Sequence, residues 1–382
     1  MAKLNELELQ SKTINWLRFP FAVLVIFIHL NYNYAYTPNS DNPFLNPNSY
    51  YKLIRTIAGI SVPCFYMFSG YLFFNKLKEW NKTVYFTKIK TRLRTLVLPY
   101  ILFSIVSIVL HILLKILKAD GSAYPFLNDL FKNWYNIFWN YRTWTFDVDN
   151  INMFGDPLPL YAPYVLSLWF LRDLIVMVFI SPIVYYLLKC TKIWGLVVLF
   201  FFFYTKIWVE IPGFSTRFFL TAFFFFSLGA YFGINRKNIV ISLRKYQLAW
   251  FILALITFGV GTYYYDYGFR KFFHPVFILS GVISVVNITS YFMEREKLRV
   301  RETLSKASFF IYCTHAILIL GFTERVFRVS FKVMMGADNT TIFVFATYLL
   351  APVACAGIIL CIYLLMKRFT PKLLSLFTGN RG

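Results

Sequence analysis

Ten apolar stretches succeed one another along this chain, at 14–31, 57–75, 96–117, 164–188, 193–209, 217–234, 247–265, 273–293, 307–323 and 341–366. At about 1.5 Å per helical residue, each crosses most or all of a hydrocarbon core of about 30 Å. Hydrophobic residues make up 58% of the chain and aromatic residues 21%, a balance that no soluble domain of this length could keep in solution. The expected fold is therefore all-α, a polytopic integral membrane bundle of about ten transmembrane helices. It fills residues 1–382 as a single domain, with no appended soluble catalytic module.

The net charge of +22 raises the question of nucleic acid, and the placement of the charges answers it. With both termini inside, the segments assigned to the cytoplasm hold 25 Lys/Arg against six acids, while everything else holds 14 against 11. Cations gathered on alternate loops are the positive-inside pattern, which gives an even number of spans and two cytoplasmic termini. A nucleic-acid reading needs a basic stripe on a soluble module, and the chain has none. The expected location is a membrane that bounds the cytoplasm.

Cys64, Cys190, Cys313, Cys355 and Cys361 are scattered through or beside the apolar stretches without CxxC or other paired spacing, so neither a disulfide framework nor a metal site is expected. Cys313 precedes His315 by two residues, and positions i and i+2 do not face each other on a helix. The first apolar stretch runs into Asn31, Tyr32, Asn33 and Tyr34 rather than a small-x-small cleavage site, so it reads as a retained signal-anchor-like helix.

Ionisable side chains inside spans mark function more often than not, and the first stretch holds two, Arg18 and His29. Eleven residues bring them within about 20° of three full turns, on one face and about 16 Å apart. In the ninth stretch Ser308, Tyr312 and His315 fall at i, i+4 and i+7, a polar stripe that must face protein or water; it either contacts a substrate or joins helices. Asp173 is the acid that plainly sits within a span, next to Arg172. Since neighbours on a helix point about 100° apart, it is expected to orient a histidine or to pair with another arginine such as Arg18. His111 and His274 lack such company.

The longest non-spanning segment, 118–163, is placed outside and is crowded with Trp134, Tyr135, Trp139, Tyr141 and Trp144. These belong either to the aromatic belt of the membrane interface or to a platform on which sugar rings stack, with Trp139 and Trp144 as its candidates. On the inner side, residues 75–100 carry seven cations. They hold topology and attract anionic lipid, or, at Arg92 and Arg94, grip phosphates.

NWLRFPFAVLVIFIHL, SVPCFYMFSGYLFF, TRLRTLVLPY, LWFLRDL and SKASFFIYCTHAIL, in that order, resemble the motifs of the membrane-bound acyltransferase-3 family, bacterial enzymes that O-acylate cell-surface glycans. The arginine, ten residues, histidine pattern falls on Arg18 and His29, the second-helix motif on Pro63 and Ser69-Gly70-Tyr71, and the likeness covers most of the chain. The resemblance implies an acyl-CoA donor, acetyl-CoA first among them, bound from the cytoplasm, and an extracytoplasmic glycan acceptor. On that reading His29 is the base for a sugar hydroxyl and Arg18 completes the catalytic pair. Arg92, Arg94, Ser69 and Tyr71 meet the donor, and His315, Tyr312, Asp173, Trp139 and Trp144 meet the acceptor. Gly70 would allow close approach of another helix or of the donor arm. Larger relatives carry a C-terminal hydrolase-like domain; here either a separate protein accepts the acyl group or the glycan is acylated directly. The rival reading is a polysaccharide or lipid-linked glycan transporter, which leaves the Arg18/His29 pairing without a task.

Overall fold

The computed structural model describes residues 5–30, 47–75, 77, 79–118, 123–144, 152–154, 156–263, 269–335 and 340–380. In chain order the helices are α1 (Glu6–His29), α2 (Pro47–Ala58), α3 (Ser61–Phe74), α4 (Lys82–Arg92), α5 (Leu98–Lys118), α6 (Ala123–Lys132), α7 (Trp169–Phe179), α8 (Ser181–Thr191) and α9 (Ile193–Thr205). They continue as α10 (Thr216–Ile234), α11 (Ile239–Leu243), α12 (Gln247–Tyr263), α13 (Arg270–Glu294), α14 (Glu302–Thr314), α15 (Leu320–Met335), α16 (Thr340–Phe369) and α17 (Pro371–Thr378). The only described sheet is a two-stranded antiparallel ribbon, β1 (Arg142–Trp144) with β2 (Leu160–Ala162), in which Thr143 faces Tyr161.

The chain is an all-α polytopic membrane protein. Seven described helical spans are long and apolar enough to cross a membrane, and α7 with α8 makes an eighth, bent by 62°. The remaining two expected stretches fall on α9 and α12, which are apolar but shorter. Local chemistry explains the boundaries. Asn5 caps α1 by accepting from the Glu8 amide at 2.8 Å, with Glu6 and Glu8 favourably placed against the dipole. The bend after α7 falls where Pro182 cannot donate to the preceding turn. Residues 82–92, expected as a basic loop, are helical instead: Asn81 caps the Val84 amide at 2.9 Å, and the helix runs through Leu93–Val97 into α5. Charges lower hydropathy but not helix propensity.

Two compact units make up the fold, Met1–Phe65 with Asn238–Thr370, and Tyr66–Lys237 with Pro371–Gly382. In the first, α1 packs on α2, α13, α14 and α16, α12 on α13, and α15 on α16; Leu17, Phe21, Ala22 and Ile26 of α1 are buried. In the second, α10 packs on α7, α8 and α9. The phenylalanine run 223–226, apolar enough to suit a lipid-facing helix, lies in the core of this unit, all four rings being buried. The reason lies in three glycines. A Cβ on Gly70 would lie 2.0 Å from the Phe226 carbonyl oxygen, one on Gly229 1.8 Å from that of Met67, and one on Gly233 2.8 Å from that of Tyr71. The backbones of α3 and α10 therefore touch, as small residues allow in membrane helices, and α10 is drawn inward.

Candidate functional site

In the first unit, α1 is continuous from Arg18 to His29, which keeps the two side chains about 16 Å apart along its axis. His29 is its last residue. There its ring meets the ring of His315, with centres 5.2 Å apart and planes tilted by 45°. The two histidines singled out in the sequence thus form one cluster.

His315 stands where a helix breaks. After α14 the chain makes a wide turn over His315–Ile319, in which Ile317 (ψ 79°) and Leu318 (φ 66°) leave helical geometry. A positive φ at leucine costs on the order of 1–3 kcal/mol, and a broken helix within a span persists where it is buried in protein or lines a cavity. His315 is fully buried. Its Nδ1 lies 2.7 Å from the Tyr312 carbonyl oxygen, and since a carbonyl only accepts, Nδ1 carries the hydrogen. Nε2 is thereby left as an acceptor, buried and without a partner among the described residues. Tyr312, itself buried, holds its ring 5.9 Å from that of His315. Ser308 turns its hydroxyl back to the Ser305 carbonyl at 2.7 Å, so of the expected stripe Tyr312 and His315 reach the cluster.

The sequence reading passed over a third group here. Arg55, on α2, is an electrostatic neighbour of His29 together with His315. It donates a hydrogen bond to the Tyr51 hydroxyl and lies 5.5 Å from that ring's centre. Tyr348 of α16 joins this pair to the end of α1, its ring 5.6 Å from Tyr51 and 5.8 Å from Phe27. The available signal was the Tyr51/Arg55 spacing of four on an amphipathic segment; its partner Tyr348 is almost 300 positions away and left no local mark.

The remaining candidates belong to the second unit. Arg92 lies 5.8 Å from the centre of the Phe73 ring, and Lys88 lies 5.0 Å from it while donating to the Phe73 carbonyl at 2.6 Å. Lys88, which the sequence reading did not single out, thus shares a patch with Arg92, whereas Arg94 is exposed. Ser69 and Tyr71 flank the Gly70 crossing, where the close approach is taken by α10.

Asp173 pairs with its own neighbour, Arg172 Nε to Asp173 Oδ1 at 2.8 Å, both side chains buried. Adjacent residues are not expected to satisfy each other fully, and they do not: Asp173 Oδ2 and Arg172 Nη2 have no partner among the described residues. Arg172 also donates to the carbonyls of Trp139 at 2.6 Å and Tyr161 at 3.2 Å, and lies 5.5 Å from the Trp139 ring centre. Trp139 meets Phe214 edge-on at 4.7 Å on its other side. It is a wedged ring rather than an open platform; Trp134 and Tyr135 are exposed, as are Tyr124, Phe131 and Phe154 of the same segment. Trp144 closes β1, and its side chain lies outside the described residues. Around the ribbon, Asp129 accepts from Tyr141, and the Tyr141 hydroxyl is pushed up by burial and by that carboxylate. The Tyr141 hydroxyl stays protonated at neutral pH. His111 has a structural place, bonded to the Ser107 carbonyl and packed on Tyr164.

Among the described residues no group of three or more His, Cys, Asp or Glu side chains could hold a metal ion. The chain is similar to the succinoglycan biosynthesis protein ExoH of Rhizobium meliloti (strain 1021), 25% identical over 385 residues that cover 97% of this chain and 92% of that protein. No solved structure matches. The acyltransferase-3 family, an acyltransferase domain, matches residues 11–366, nearly the whole chain and all of the histidine cluster. This chain therefore belongs to the acyltransferase-3 family, and it is a membrane-embedded O-acyltransferase.

Proposed function

We propose that this enzyme transfers an acyl group, acetyl in the first instance, from cytoplasmic acyl-CoA to a hydroxyl of an extracytoplasmic glycan. The observation that carries the site assignment is the His29–His315 cluster at a broken, buried helix. A sugar hydroxyl is too weak an acid to attack a thioester unaided, so a base must take its proton as the new bond forms. His29 takes that role. His315, with Nδ1 tied to the Tyr312 carbonyl, presents Nε2 in a fixed direction; it accepts a hydrogen bond from a neighbouring hydroxyl of the acceptor sugar, which orients the reacting hydroxyl toward His29. The glycan acceptor is supported by the name of the relative, a protein of polysaccharide biosynthesis. Lys88 and Arg92 are the cations we assign to the donor's phosphates, with Trp134 and Tyr135 available to stack on the acceptor. We place the protein in the cytoplasmic membrane with ten spans and both termini inside, on the strength of its charge distribution.

The test is acyl transfer by purified enzyme in liposomes, supplied with acetyl-CoA or succinyl-CoA and the host's surface polysaccharide. Acyl ester on the polysaccharide, followed by mass, identifies both the acyl group and the acceptor. Formation of free CoA without acylated polysaccharide would leave an acyltransferase whose acceptor is something else.

A further inference from the structure

The tetrahedral intermediate of acyl transfer carries a full negative charge on what was the carbonyl oxygen, and stabilising that charge is commonly the largest single contribution to such catalysis. Arg18, the cation that the sequence pairs with His29, is badly placed for it. Both lie on one uninterrupted helix, which holds Arg18 about 16 Å down the axis from the base. Arg55 of α2 is the cation that the Tyr51–Tyr348–Phe27 ring contacts bring to the end of α1, where its charge acts on His29. Its position is fixed by contacts on the same unit: the hydrogen bond to Tyr51, the Tyr51–Tyr348 ring contact at 5.6 Å and the Tyr348–Phe27 contact at 5.8 Å, Phe27 being two residues before His29.

We infer that Arg55 is the oxyanion-stabilising residue of this enzyme, a catalytic role that rests on the assignment of His29 as base. In the first step the acceptor O–H proton passes to His29 while the hydroxyl oxygen bonds to the thioester carbonyl carbon. The C=O π electrons move onto the carbonyl oxygen, and that oxygen lies against the Arg55 guanidinium. In the second step the C=O bond re-forms, the C–S bond breaks with its electron pair on sulfur, and His29 returns the proton to the leaving thiolate. Tyr51 fixes the guanidinium, so its charge is already oriented when the oxyanion appears.

Initial rates across donor and acceptor concentrations test this with Arg55→Gln, Arg55→Lys, Arg55→Ala and His29→Ala, each first checked for folded protein by detergent size exclusion. Arg55→Gln should lower kcat by about 10²–10³-fold with either KM changed less than about threefold. Arg55→Lys should retain part of kcat, and Arg55→Ala should regain activity with added guanidinium in the low millimolar range. Should Arg55→Gln not fold, Arg55→Lys and the guanidinium response of Arg55→Ala decide the matter. A kcat near that of the unaltered enzyme, or a raised KM at unchanged kcat, overturns the role of Arg55 while an inactive His29→Ala leaves the base assignment standing. Full activity in both Arg55→Gln and His29→Ala would overturn the underlying site as well.

Discussion

A single carbonyl decides what His315 can do. Because Tyr312 O can only accept, the Nδ1 hydrogen is committed, and Nε2 is left as a buried acceptor. His29→Ala should abolish measurable transfer while membrane insertion and donor binding persist. His315→Gln should lower kcat by about 10–10²-fold and His315→Ala by more, as expected for a group that aligns the hydroxyl rather than taking its proton. Comparable activity in His29→Ala and the unaltered protein would sink the assignment. Arg18 and His29 were legible because eleven residues on a helix encode a shared face, and His315 because polar residues stood out in an apolar stretch. Arg55 was not, since its place near the end of α1 depends on the Tyr51–Tyr348 and Tyr348–Phe27 ring contacts, which no local pattern records. Asp173 was misjudged for the opposite reason: backbone geometry points it away from Arg172, but a long guanidinium stem folds back to it. The Arg172/Asp173 pair gives a second prediction. Removing one partner of a buried ion pair leaves an uncompensated charge and costs about 3–5 kcal/mol. Arg172→Met and Asp173→Leu should each sharply lower thermal stability in detergent, and the double variant should be more stable than either single one. Additive losses would mean that the two charges do not interact.

At the level of elements, hydropathy located the apolar helices but none of the breaks. All ten expected stretches fall on apolar helices, since averaged apolarity is what a lipid-facing or core helix must have. The bend at Ser181, the short α9 and α12 and the wide turn at His315 depend on which backbone groups find partners, and hydropathy carries no such information. The α3–α10 crossing was readable only halfway: Gly70 announced a close approach, and the structure shows that the partner is α10 at Gly229 and Gly233. Gly229→Val or Gly70→Leu should therefore leave little folded protein, because the new side chain meets backbone that cannot move aside, an overpacking cost of about 1–3 kcal/mol or more. Gly259→Ala and Gly357→Ala, where an added Cβ meets nothing within 4 Å, should fold normally and gain about 0.5–1 kcal/mol from reduced backbone freedom. Monodispersity after detergent extraction separates the two pairs; indistinguishable profiles would mean that the crossing tolerates more separation than its contacts indicate.

For the molecule as a whole the open question is sidedness, and charge provides the argument. The segments we place inside hold 25 of the 39 Lys/Arg residues, with six acids, so they concentrate positive potential where an anionic donor would arrive. The segment 118–163 holds aromatic rings and few net charges, which suits a saccharide better than a nucleotide. Donor and acceptor should accordingly be used from opposite faces. In sealed vesicles of known orientation, acyl-CoA supplied only on the face bearing the termini should label a glycan present only on the other. Trp134→Ala, which removes an exposed ring, should raise the acceptor KM about two- to tenfold by loss of stacking worth about 0.5–1.5 kcal/mol, with donor KM unchanged. Trp139→Ala should instead lower thermal stability, because its ring is wedged between Arg172 and Phe214. If acylation requires both substrates on one face, transfer does not cross the membrane, and the basic segments serve topology and anionic lipid alone.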